Sequence, residues 1–221
     1  MDKNLLNIGL TGGRFSGKNG VSKLFRQLGV PVFDADAVMK YLLNYRESMP
    51  TSVRKAFGPE YAFGEYINPI AFDTDEKFST LINLIEFELF EGYNRFRIKN
   101  QDKQYTIFHS SLIYEKAWSN KFDRVISVFS PKDTRIQRYK RETGDRLELI
   151  WNLFNKEMNE TLKNQMSDFI IHNYEDAPDI LKQVENIDTN IVDYYLALNK
   201  KKEVESAMFD TTSIHKNIYT F

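Results

Sequence analysis

The sequence predicts an α/β fold, a five-stranded parallel sheet flanked by helices, and three observations predict it. Five short apolar runs, at residues 5–10, 30–33, 105–108, 124–129 and 168–171, mostly lack the alternation of a half-solvated antiparallel sheet. Helical patterns separate these runs, as the crossovers between parallel strands require. Between the first two runs lies the glycine-rich turn "GLTGGRFSGKNG". After it Val21, Leu24, Phe25 and Leu28 repeat at helical spacing, and Gly29 ends the helix as a C-cap. Strand, helix and following strand are expected to form a right-handed βαβ unit.

The remaining elements follow in order. Residues 35–104 are mostly helical in pattern, with a turn-rich patch at "AFGPEYAFGEYINP" and a stripe at Leu81, Leu84, Ile85, Glu88 and Leu89. Residues 141–166 are charged and helical. Such insertions between strands commonly form a substrate lobe and a lid. After the fifth strand a helix is expected around 177–184 and a second, charged one near 191–208. The predicted organisation is a domain at 1–188, with core 1–34 and 104–188, a helical substrate lobe at about 35–103 and a lid at about 141–166. Residues 189–221 form a helical extension and tail, for which a protein contact is the expected use.

Composition narrows the function. A chain of 221 residues with 42% hydrophobic content can bury a sizeable core in one domain. Thirty basic and 31 acidic residues leave a net charge of −1, which argues against coating nucleic acid or lying on a membrane. The absence of cysteine removes disulfides, thiolate metal sites and cysteine nucleophiles. The opening "MDKNLL" is too short and acidic for an export signal, and no apolar run approaches the ~18 residues of a membrane span. A cytoplasmic protein acting on small molecules is expected.

The glycine-rich turn has the spacing Gly12-x-x-x-x-Gly17-Lys18. Glycines let the backbone curl so that successive N–H groups point inward, and the next helix presents its positive end. Lys18 adds a full charge. Together Gly13, Arg14, Phe15, Ser16, Gly17, Lys18 and Asn19 suit the phosphates of a nucleoside triphosphate such as ATP. The plainer alternative is a loop that only shapes the fold.

The stretch "GLTGGRFSGKNGVSKLFRQLGVPVFDAD" resembles the opening of the dephospho-CoA kinase family, with its Gly-Val-Pro-x-x-Asp-Ala-Asp element. Ser111-Leu112-Ile113-Tyr114-Glu115 stands where the family has Pro-Leu-Leu-Phe-Glu, and Asp123-Arg124-Val125 opens the fourth strand. Arg138 and Arg141 match the two arginines of the lid segment. Glu157-Met158, Lys163, Ser167-Asp168 and Asn173 follow the family's order, so the resemblance covers residues 5–185. It implies a P-loop kinase that transfers phosphate from ATP, with Mg²⁺, to the 3′-hydroxyl of dephospho-CoA.

By that resemblance Asp36 orients or deprotonates the acceptor hydroxyl, Asp34 lies near the metal's water shell, and Glu115 belongs to the substrate side. The plainer reading of Asp34 and Asp36 is a helix cap. Arg135, Arg138 and Arg141 share a helix face, with Ser130 as cap and Pro131 at the first position. Guanidinium groups there suit a transferring phosphoryl, although such stripes are often solvated faces. Arg135 lacks a matching family position. His109 ends the third strand, where many relatives carry an acid, and is read as hydrogen-bonded or as touching substrate.

Departures gather in the loop. Asn19 replaces the hydroxyl that ligates magnesium, and its longer arm misplaces the oxygen. Phe15 stands where the family prefers glycine, Gly20 replaces a threonine, and Glu157 replaces a glutamine. Arg14 adds a cation at the loop tip. Three readings therefore stand: a kinase of dephospho-CoA, a (deoxy)nucleoside monophosphate kinase, and a non-catalytic nucleotide-binding or interaction protein.

Overall fold

The structure, a computed structural model, describes residues 5–64, 66–67, 74–143, 158–175 and 178–216. Its frame is a parallel sheet of β1 (Leu6–Thr11), β2 (Val32–Asp34), β5 (Tyr105–His109), β6 (Arg124–Phe129) and β7 (Phe169–His172). Their order across the sheet is β2-β5-β1-β6-β7. Each predicted strand forms, within two residues of its expected ends. The crossover from β1 through α1 (Lys18–Gln27) skips one place, because β5 lies between β1 and β2 and pairs with both.

Side chains alternate across the sheet and so feed two cores. Leu6, Ile8 and Leu10 of β1, with Ile107, Ile126 and Val128, pack against α1 and the C-terminal helix α7 (Ile180–Lys216). On the other face Phe33, Phe108 and Val125 meet α2 (Ala35–Tyr45), α3 (Met49–Phe57) and α4 (Asp75–Lys99). Phe108 is stacked against Phe90 at 5.2 Å and edge-on to Tyr93 at 5.0 Å, so the strand ending at His109 stands on a rigid aromatic floor.

Three sequence expectations are corrected. The turn-rich patch contains a small antiparallel hairpin, β3 (Ala62–Phe63) with β4 (Tyr66–Ile67). The two helices expected after the fifth strand are one continuous helix, α7. Ile187, Ile191 and Tyr195 carry the apolar stripe of Val184 across the expected break, all of them buried in the second core. Ser130 does not cap α5 (Lys132–Thr143). Its hydroxyl is buried without a hydrogen-bond partner among the described residues, and the first helical bond runs from the Arg135 N–H to the Pro131 carbonyl. Of the expected lid at about 141–166, residues 144–157, Glu157 among them, lie outside the described residues, and its last part forms the short helix α6 (Glu160–Met166). Among the described residues, no helix is long and apolar enough to cross a membrane.

Candidate active site

Strand β1 ends at the carboxyl edge of the sheet, and the chain turns at once through the glycine-rich loop into α1. Gly17 is left-handed, with φ 94, and helix α1 starts from it without a side-chain cap. The positive end of α1 therefore meets the loop uncovered by a capping side chain, the setting in which helix N-termini bind anions. Lys18 is buried, and its ammonium donates to the Gly13 carbonyl at 3.1 Å, folding the charge over the loop. The loop's glycine at 17 also answers a contact: a Cβ there would lie 2.0 Å from the Asn173 amide nitrogen.

That amide belongs to a clamp. Asn173, just past β7, donates to the Ser16 carbonyl at 2.7 Å. Arg138 of α5 donates to the carbonyls of Phe15 and Ser16, both at 3.1 Å, and to the Asn173 carbonyl at 2.9 Å. Burial, and then the nearby Arg141 charge, push Arg138 below its usual value. Phe15 holds φ 60, a conformation that side chains with a Cβ rarely adopt. Its ring meets Tyr139 edge-on at 5.1 Å, and Ile136 packs against the same tyrosine. The substitution that departs most from a glycine loop is thus pinned by α5.

The second half of the site lies one strand away. Asp34 and His109 are cross-strand partners at the ends of β2 and β5. The two aspartates separate cleanly in role: Asp34 is the cap, accepting the Ala37 N–H at 3.0 Å. Asp36 does not cap. Its carboxylate accepts the Ser110 hydroxyl at 3.0 Å and the Ser111 N–H at 3.1 Å, which fixes it over the β5 edge. His109 is buried, 3.8 Å from the Asp34 carboxylate, and burial pushes its imidazole down against the raising effect of Asp36. Both its ring nitrogens lack a hydrogen-bond partner among the described residues.

Beside Asp36 opens a cavity of about 500 Å³. Arg14 and Lys40 give it cationic groups, and Met39, Leu43, Phe78 and Leu81 give it an apolar wall. The loop tip and Asp36 therefore share one concave space, the arrangement expected of a donor and an acceptor site placed side by side.

The structure brings together Gly13, Arg14, Phe15, Ser16, Gly17, Lys18, Asp34, Asp36 and Arg138. Asn19 is exposed in the first turn of α1, and Arg141 is exposed at the end of α5. Glu115 does not line the cavity; its carboxylate lies 2.6 Å from the ammonium of buried Lys163. Sequence reasoning assigned no role to Asn173, Ser110 or Ser111, and it set Arg135 aside. A metal would find few donors: among the described residues no group of three His, Asp or Glu side chains could hold one. The Asn19 amide, exposed on α1, and the Asp34 carboxylate, 39% exposed, are each only single oxygen donors, a sparse set. That set suits an ion which takes most of its ligands from phosphates and water, as magnesium does.

Comparison with known proteins bears on the family and the fold. A family described as dephospho-CoA kinase matches residues 6–179. A curated dephospho-CoA kinase from Mannheimia succiniciproducens is 29% identical over 175 residues, covering 76% of this chain and 81% of that protein. Among solved structures, TT1252 from Thermus thermophilus superposes with a TM-score of 0.71 at 22% identity, covering 87% of this chain and 98% of that one. The dephospho-CoA kinase from Campylobacter jejuni gives 0.52 at 17% identity, covering 84% and 96%.

Proposed function

We infer that this chain, which belongs to the dephospho-CoA kinase family, transfers the terminal phosphoryl group of ATP to the 3′-hydroxyl of dephospho-CoA. The observation that carries this reading is Asp36, held by Ser110 and Ser111 at the mouth of the cavity that the loop tip also lines. Phosphoryl transfer asks a protein mainly for positioning and charge neutralisation. The loop N–H groups and Lys18 hold the donor phosphates. Asp36 orients the acceptor hydroxyl and takes its proton as the new O–P bond forms and the bond to ADP breaks. Arg138 is engaged by loop carbonyls, so its part is to keep the loop's shape; exposed Arg141 is the one assigned to the transferring group.

Residues 35–103 supply the acceptor lobe, through Met39, Lys40, Phe78 and Leu81. Asn19, with Asp34 through water, would hold magnesium, which when bound neutralises charge on the phosphate oxygens.

A second reading, nucleotide binding without transfer, is favoured by Asn19 at the metal-ligating position and by the strained Phe15. A coupled ADP-release assay with dephospho-CoA and a panel of nucleoside and deoxynucleoside monophosphates separates the readings. Release with dephospho-CoA alone is expected. Release with a monophosphate alone reassigns the acceptor, and ATP binding without release under any acceptor leaves the second reading standing.

A further inference from the structure

Four ionic side chains meet behind the first residues of the phosphate loop, and the reaction above uses none of them. Glu160, the first residue of α6, accepts the Gly13 N–H through one carboxylate oxygen at 3.3 Å. Its other oxygen lies 4.0 Å from the Arg135 guanidinium and 3.6 Å from the Lys163 ammonium. Arg135 in turn donates to the Arg14 carbonyl at 3.3 Å. Lys163 closes the group on Glu115 at 2.6 Å, so two cations face two carboxylates. We propose that Glu160, acting with Arg135, is a positioning residue that holds residues 13 and 14 in the shape that receives nucleotide phosphates. The proposal rests on the nucleotide-binding part of the reading above.

Burial shelters the group from water. The side chains of Arg135, Glu160 and Lys163 are only 5%, 11% and 1% exposed, so solvent and salt screen them little. Gly13 is shaped to admit them: a Cβ there would lie 2.1 Å from the Arg135 guanidinium and 2.5 Å from the Glu160 carboxylate. The same residue anchors Lys18, whose ammonium bonds the Gly13 carbonyl at 3.1 Å. Glu160 therefore fixes the N–H side of the peptide unit that precedes Lys18's own anchor, and a shift of Gly13 displaces the catalytic charge. Glu115 lies four residues beyond Ser111, which holds Asp36, so the network also links the donor loop to the acceptor side.

A buried ion pair can instead be purely structural, and apolar residues of similar volume then replace it without loss. The test exploits that difference. Glu160→Ala strands Arg135 and Lys163 with one carboxylate and takes the acceptor from the Gly13 N–H, and its melting temperature should fall by roughly 10 °C. The double variant Arg135→Leu/Glu160→Leu removes both charges and should recover most of that stability. The dissociation constant of ATP, measured by calorimetry on the full chain, should still be raised by about tenfold or more in both variants. Wild-type ATP affinity in a folded double variant makes the pair structural and overturns the proposal. If the double variant does not fold, unchanged affinity in Glu160→Ala overturns it equally. Absence of ATP binding in the unaltered protein overturns the nucleotide reading and this proposal with it, whereas binding that both variants retain overturns this proposal alone.

Discussion

Replacing Phe15 tests whether the loop is strained as the structure describes. Phe15 sits at φ 60, which costs a residue with a Cβ about 1 kcal/mol or more relative to glycine. Its half-buried ring returns about 1 kcal/mol by area and about 1 kcal/mol more from the edge-on contact with Tyr139. Phe15→Ala loses the ring and keeps the strain, so it should be about 2 kcal/mol less stable than the unaltered protein. Phe15→Gly loses the ring, sheds the strain, and gives back about 0.5 kcal/mol through a more disordered unfolded chain. The glycine variant should therefore lie above the alanine variant by about 0.5–1 kcal/mol. A chain of this size shifts by about 2–4 °C per kcal/mol, so thermal melts supported by urea unfolding resolve the two. An alanine variant as stable as the glycine one would refute the left-handed strain at this position.

Lys18→Ala removes the charge folded over Gly13 and should weaken ATP binding by about a hundredfold or more in calorimetry, with unchanged affinity placing the nucleotide elsewhere. Asn19→Ser, with Gly20→Thr in the open space that Gly20 leaves, should steepen the magnesium dependence of ATP binding and ADP release; a loss of both would make Asn19 an adapted ligand. Burial, then the hydrogen bond to Asp188, hold the Tyr105 phenol above its ordinary value of 10.0 in the folded chain. That contribution is present below the unfolded value and is lost as pH rises beyond it. Melting temperature should fall between about pH 9 and 11, and Tyr105→Phe should flatten that slope.

Much of the fold was legible because its signals are local. Buried parallel strands announce themselves as short apolar runs, and the loop's glycines and lysine sit at a spacing that backbone geometry demands. The β3–β4 hairpin was not legible: strands of two residues leave no period to read. The break expected before residue 191 was set by charge, whereas Val184, Ile187, Ile191 and Tyr195 keep helical spacing through it with no proline or glycine to interrupt them. In the site, sequence left Asp34 and Asp36 interchangeable as caps; only the start of α2 decides, giving Asp34 the Ala37 N–H and leaving Asp36 to Ser110 and Ser111. Arg135 was set aside because a helical stripe of arginines reports one face and not what packs on it. Its carboxylate partner, Glu160, lies 25 positions away on another helix, and the gripped Gly13 is farther still. Such pairings become visible only in three dimensions.

Asp36 is proposed to handle the acceptor hydroxyl beside a loop that binds ATP. The most direct measurement is ADP release with saturating ATP, magnesium and dephospho-CoA, for the unaltered protein and for Asp36→Asn, with ATP affinity taken on both by calorimetry. Asparagine keeps the oxygen that Ser110 and Ser111 hold but cannot take the proton. Equal ATP affinity and a turnover lower by about a hundredfold or more in Asp36→Asn is the predicted result. Turnover unchanged by Asp36→Asn, or no turnover of dephospho-CoA by the unaltered protein, would contradict it.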